Sequence, residues 1–252
     1  MMSKQTMGNV DVNVTTLNDF MQEILGRLIS GVRSRVFFLN AHCYNVAQVK
    51  PMYREHLNAA EFVLNDGLGV QLAAKWFNFS FPENLNGTDL TPKVLTMAEH
   101  YGFKVFLLGS MPGVAERAAN QLAKRMKDLQ IVGFEHGYFE DSEAIIAKVN
   151  DSGADIVIVA MGVPLQEDWI SINWSKLSAR LVMGVGAYLD FESQRVRRAP
   201  TVIRKLKLEW VFRLFREPRR LWKRYLVGNV LFFLYIWREG RRRHAHVGKH
   251  DS

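Results

Sequence analysis

Five consecutive apolar residues, Ile156–Ala160 (IVIVA), constrain this 252-residue chain more than any other feature. Four of the five are β-branched and no polar residue alternates with them, so the run fits a strand whose two faces are both covered. Such strands belong to parallel sheets wrapped by helices. Three more runs have the same character: Val36–Leu39, Val105–Leu108 and Leu181–Val185. Helical spacing over Pro112–Lys127 and Glu140–Val149 separates some of them. The alternation predicts an α/β fold, an open and mostly parallel Rossmann-like sheet flanked by helices.

Ligands of such sheets sit beyond the carboxyl ends of the strands. The residues to inspect are therefore Asn40-Ala41-His42, Gly109 to Gly113, Met161 to Pro164, and Gly186-Ala187. The segment GSMPGV at Gly109–Val114 joins a strand to a helix, where free backbone N–H groups hold phosphate. It matches neither a Walker A loop nor the three-glycine dinucleotide fingerprint, and by itself it is equally an ordinary helix start. Asp66, in LNDGLGV, is a carboxylate between apolar residues and two glycines, suited to accept a proton from an incoming hydroxyl. Asn-Asp-Gly is also a common turn, and both readings stay open here. Asp89 in NGTDLTP suits a helix N-terminus. Gln166 and Glu167 follow the Gly-Val-Pro turn after the IVIVA strand, and the Gln166 amide has both a donor and an acceptor for a sugar or a uracil ring.

Metal and nucleophile chemistry have little support. Asp190-Phe191-Glu192 supplies a D-x-E pair, read as strand neighbours on one face, but there is no D-x-D, and the seven histidines do not cluster. No G-x-S-x-G motif occurs. The single cysteine, Cys43, rules out an internal disulfide framework and suits a reducing compartment. The first twenty residues lack the apolar core of a secretory signal, so a cytoplasmic location is expected.

Charge divides the chain. Residues 193–252 hold 17 Lys and Arg against 4 Asp and Glu, whereas residues 1–192 hold 16 against 21. A catalytic α/β domain over residues 1–195 and a basic, amphipathic helical appendage over 196–252 are expected, the latter for an anionic partner. On a continuous helix Arg213, Arg216, Arg220, Lys223 and Arg224 fall within an arc of roughly 100°, opposite Val211, Phe215, Trp222 and Tyr225. Pro218 breaks the helix or starts a second one. The apolar run Tyr225–Trp237 has 13 residues, short of the ~20 that span a bilayer. It reads as an interfacial helix, or as a core element if it folds back. A non-enzymatic anion-binding module whose tail grips nucleic acid is the rival reading, but the bulky apolar stripe favours lipid and no nucleic-acid partner is expected.

The motifs LNDGLGV, NGTDL, FLLGSMPGV, VGFEHGYF, VAMGVPLQEDW, MGVGAYLDF, RRAP and LEWVFRLFREPRRLWKRYL stand in one order. In that order they resemble the WecG/TagA/CpsF family of glycosyltransferases, from about Asn9 to about Val230. The resemblance implies inverting, metal-independent transfer from a UDP-sugar to a polyprenyl-diphosphate-linked saccharide in bacterial polysaccharide assembly. It implies a peripheral enzyme on the inner face of the plasma membrane, with no cofactor. Asp66 matches the family's general base. Asn40, Gly109, Tyr138, Gly162, Gln166 and Asp190 match the surroundings of the sugar nucleotide. Arg213, Arg220 and Arg224 match arginines that meet the acceptor diphosphate and anionic lipid headgroups. Two departures stand in the donor pocket: Phe38 replaces a family Thr and Asn84 a family Arg. Loss of that guanidinium favours an uncharged sugar among hexose, N-acetylmannosamine and its uronic acid.

Overall fold

The computed structural model describes residues 2–205 and 209–247. Two antiparallel strands open the chain, β1 (Ser3–Met7) and β2 (Val10–Val14), joined tightly across Gly8 and Asn9. Six parallel strands follow: β3 (Ser34–Leu39), β4 (Phe62–Asn65), β5 (Val105–Gly109), β6 (Ile131–Glu135), β7 (Ile156–Ala160) and β8 (Leu181–Gly184). Their order across the sheet is β4-β3-β8-β7-β5-β6. Edge strand β4 is covered by the hairpin, where the Asn13 side-chain oxygen accepts from the Val63 N–H at 2.7 Å.

Alternate residues of each strand enter two separate cores, one on each face. Phe37, Leu39, Val63, Phe106, Leu108, Val157, Val159 and Val182 point one way. Val36, Phe38, Phe62, Leu64, Val105, Leu107, Ile158 and Met183 point the other. This double burial is why the central strands β5, β7 and β8 carry no charged or polar side chain. Helices Leu17–Ser30, Gly87–Tyr101 and Val114–Arg125 cover the second face; Ala41–Val49, Pro51–Asn58, Ser142–Asp151 and Leu165–Asn173 cover the first.

All four sequence-predicted strands are present. Two others of the sheet, β4 and β6, escape the pattern: β4 is four residues long, and β6 is a half-exposed edge carrying Gly133 and Glu135. The C-terminal part runs as helices Thr201–Lys205, Glu209–Arg216 and Pro218–Trp222, a π-helical turn at Lys223–Val227, and helix Gly228–Val247. Pro218 begins its helix, where its missing N–H costs nothing. The run Tyr225–Trp237 folds back onto the first face. Phe232 and Ile236 are wholly buried, the Phe232 ring meets Tyr44 edge-on at 5.4 Å, and the Asn45 amide donates to the Gly228 carbonyl at 2.7 Å. No described helix is long and apolar enough to cross a membrane.

Candidate active site

A cleft of about 450 Å³ lies across the carboxyl ends of the strands. Asn40 after β3, Asp66 after β4, Ser110 after β5, Tyr138 after β6, Gly162 after β7 and Gly186 after β8 all reach its wall. The chain leaves β3 for β4 on one side and returns through β7 and β8 on the other, so the cleft marks the topological switch point. A shallower depression of about 290 Å³ lies behind the Tyr188–Glu192 helix, lined by Arg125 and Glu192, away from the strand ends.

Asn40 does two jobs. Its side-chain oxygen caps helix Ala41–Val49 by accepting from the Cys43 N–H at 3.1 Å, and its amide donates to Asp66 Oδ2 at 3.1 Å. The cap fixes the amide rotamer, and the amide fixes the carboxylate. Burial holds the Asp66 carboxyl above the ordinary carboxylate range; the Asn40 bond and the charges of Arg224 and Arg213 pull it down, and Glu209 adds to the rise. A carboxylate raised toward neutrality is a better base. Next to it, the Gly67 N–H donates to Asn84 Oδ1 at 2.7 Å, which braces the turn.

Gln166 joins two strand ends. Its oxygen accepts from the N–H groups of Gly162, at 3.2 Å, and Gly186, at 2.9 Å. Its amide donates to Glu167 Oε1 at 2.8 Å. The acceptor oxygen is thus committed inside the protein, and one amide hydrogen remains for the cleft. Glu167 is wholly buried and its second oxygen has no hydrogen-bond partner; burial pushes this carboxyl up to about 8.

Across the cleft, Asp190 Oδ1 accepts from Ser110 Oγ at 2.6 Å and from Arg195 Nη1 at 2.7 Å. Ser110 holds φ of +58°, outside the usual region for a residue with a side chain. Gly109 before it has φ of +132°, and a Cβ there would stand 2.5 Å from the Ala160 carbonyl. The glycine is what lets β5 and β7 close at this point. Tyr138 is exposed at the rim.

From the C-terminal part, Arg213 and Arg224 enter the same cleft. Arg213 lies over the Phe191 ring at 5.5 Å, and the Nε of both arginines is buried without a hydrogen-bond partner. Both charges act on Asp66 and make this part of the cleft cationic. His42, lowered to about 4 by burial and then by the Arg224 charge, stays neutral and adds no charge there.

Of the predicted site residues, the cleft brings together Asp66, Asn40, Tyr138, Gly162, Gln166, Asp190, Arg213 and Arg224. Asn84 and Gly109 stand behind its wall, one bracing the Gly67 turn and the other closing the sheet. Arg220 is on helix Pro218–Trp222, but its side chain lies outside the described residues. The cationic arc divides: Arg213 and Arg224, about 20° apart on the wheel, line the cleft, while Arg216 and Lys223 at its other edge are exposed. Asp190 and Glu192 are not strand neighbours either. They lie on helix Tyr188–Glu192, where Glu192 turns away to Arg125 at 3.0 Å. Among the described residues no three His, Cys, Asp or Glu side chains converge as a metal site. Sequence reasoning missed Ser110 and Arg195 as partners of Asp190; only the strand-end position of Ser110 signalled it. Cys43 also lines the cleft, with its thiol pushed up to about 12 by burial.

A buried carboxylate, two cationic side chains and a switch-point cleft are what a group-transfer enzyme needs, and comparison with known proteins makes the group a sugar. The chain belongs to the WecG/TagA/CpsF family of glycosyl transferases, whose family model matches residues 5–246. It is similar to the N-acetylglucosaminyldiphosphoundecaprenol N-acetyl-beta-D-mannosaminyltransferases of Staphylococcus aureus strains MRSA252 and MW2. Each is 27% identical over 237 residues, covering 93% of this chain and 92% of the relative. The protein is therefore a glycosyltransferase, and the reading of the chain as a non-enzymatic module finds no support.

Proposed function

We propose that the enzyme transfers a neutral sugar of the N-acetylmannosamine type from its UDP derivative to a polyprenyl-diphosphate-linked N-acetylglucosamine, with inversion and without a metal ion. The observation that carries this is the pairing of Asp66, oriented by Asn40, with Arg213 and Arg224 in one cleft. The acceptor hydroxyl gives its proton to Asp66 as its oxygen attacks the anomeric carbon from the face opposite UDP, whose diphosphate leaves with the bonding pair.

The activity of the staphylococcal relatives supports the acceptor and the sugar. Asp190, held by Ser110 and Arg195, is suited to ribose hydroxyls, and the exposed Tyr138 ring to stacking on uracil. Arg213 and Arg224 suit the diphosphate that anchors the acceptor to its lipid, and the cationic C-terminal helices suit an anionic membrane surface. Phe38 walls the cleft with a ring, and Asn84 is spent on Gly67, so neither offers the cation that a uronate needs. The test is direct: labelled UDP-N-acetylmannosamine and N-acetylglucosaminyl-diphosphoundecaprenol are incubated with the enzyme, with and without EDTA. Disaccharide-lipid is expected in both. No transfer from that donor, with transfer from UDP-N-acetylmannosaminuronate, overturns the sugar.

A further inference from the structure

Helix Leu68–Ala74 begins two residues after Asp66, and its outer face is apolar. Val70, Ala73 and Ala74 are buried, whereas Leu68, Leu72 and, in the following 3-10 turn, Trp76 are 41, 47 and 51% exposed. The spacing of four puts Leu68 and Leu72 on one stripe that Trp76 continues. Nothing in the proposed chemistry uses these side chains.

The stripe is continuous with a second one. Trp76 meets Phe233 of the long C-terminal helix edge-on at 6.4 Å. Besides Phe233 the helix exposes Val230, Leu234 and Trp237, while Phe232 and Ile236 hold it to the core. The helix is therefore two-faced: one apolar face is buried, and another remains open beside Leu72 and Trp76. Exposed cations flank these apolar residues along the chain. Lys75 adjoins Trp76, Lys223 lies 5.6 Å over the Trp222 ring, Arg241 lies 4.1 Å over the Trp237 ring, and Arg216, Arg219 and Arg238 are exposed nearby in sequence.

We infer that Leu68, Leu72 and Trp76 of the catalytic domain form, with the open face of the C-terminal helix, one surface that inserts into an anionic bilayer and seats the cleft mouth on it. Charge selects the occupant. A two-fold contact between copies would set these cations against their like, whereas anionic headgroups neutralise them as the aromatics and leucines enter the acyl boundary. Because Leu68 is two residues from Asp66, the depth of this helix fixes the height of the base above the membrane. The C-terminal helices alone leave that height open. The inference rests on the proposed use of a lipid-linked acceptor and gives the membrane a second contact within the catalytic domain.

The buried Cys43 makes a site-specific test practical, because a single added cysteine is the reactive one. Leu72→Cys, and Ile29→Cys on the exposed side of helix Leu17–Ser30 as control, are labelled with an environment-sensitive fluorophore in the full chain. Each is mixed with vesicles of seven parts phosphatidylcholine to three parts phosphatidylglycerol, with and without doxyl-labelled lipid. The label at 72 is expected to shift blue and be quenched; that at 29 is not. Leu72→Glu is expected to weaken vesicle binding by about ten-fold or more while UDP affinity stays at the parental value. A floating protein whose label at 72 stays unquenched overturns the inference and leaves the lipid-linked reaction standing. A blue shift without vesicles, rising with protein concentration alongside a doubled sedimentation mass, overturns it in favour of a second copy. Absence of transfer to the lipid-linked acceptor, with quenching intact, strikes the proposed reaction instead.

Discussion

Glu167 offers a stability prediction that can be worked from the structure. The side chain is wholly buried, accepts one bond from Gln166 at 2.8 Å, and has a second oxygen without a partner. Burial, with the Asp168 charge adding to it, pushes its pKa from 4.5 up to about 8, against the pull of Gln166 and Arg224. In the unfolded chain the proton leaves near 4.5; in the folded protein it stays until about 8. The folded state thus binds more protons across that window, so stability falls as pH rises through it. Below the window both states are protonated and the cost vanishes. At about 1.4 kcal/mol per pH unit, the loss accumulates to roughly 4 to 5 kcal/mol at the alkaline end. Glu167→Gln keeps an acceptor for Gln166 and does not titrate. Its amide brings a pH-independent cost of about 1–3 kcal/mol where the partnerless oxygen lay. That constant drops out when the two proteins are compared at two pH values. The stability of the variant relative to the parent should therefore rise by roughly 3 to 4 kcal/mol between about pH 5 and pH 8.5. Urea unfolding followed by tryptophan fluorescence measures this. Profiles that stay parallel to within about 1 kcal/mol refute the claim that the carboxyl stays protonated when folded.

The remaining predictions concern the cleft. Asp66→Asn should cut turnover about 10²-fold or more and leave UDP affinity, measured by calorimetry, nearly unchanged; near-parental turnover removes Asp66 as base. Because burial raises the Asp66 carboxyl above 3.8, kcat/KM should fall on the acid side through an apparent pKa above that value; an acid limb at or below it contradicts the assignment. Gly109→Ala should cost about 3 kcal/mol or more, since its Cβ would meet the Ala160 carbonyl at 2.5 Å. Gly162→Ala, with φ of +81° and nothing within 4 Å, should cost only about 1–2 kcal/mol, and equal melting temperatures for the two would refute the steric argument. EDTA should leave the transfer rate unchanged; loss that Mg²⁺ restores would bring Asp190 back as a ligand.

The sequence by itself determined the fold class, since Ile156–Ala160 and three similar apolar runs without alternation, separated by helical spacing, fit strands covered on both sides. It also singled out strand-end residues such as Asn40, Asp66 and Gln166 from the runs that precede them, and these line one cleft in the structure. The 13-residue length of Tyr225–Trp237 argued against a membrane span, and no described helix is apolar enough to make one. The tertiary structure decided what each residue touches. Asn40 reaches Asp66 across 26 residues, and Ser110 reaches Asp190 across 80, because the order β4-β3-β8-β7-β5-β6 brings their strand ends together. Strand order follows from how the helices pack on each face, which no local pattern encodes. The same holds for the C-terminal arginines. A helical wheel puts Arg213 and Arg224 about 20° apart, but only the packing of these helices against the sheet domain shows that this edge of the arc faces the cleft. Phe232 and Ile236 are core residues because their helix packs against helix Ala41–Val49, whose Tyr44 meets the Phe232 ring, so their burial is a property of the packed molecule and not of their own segment.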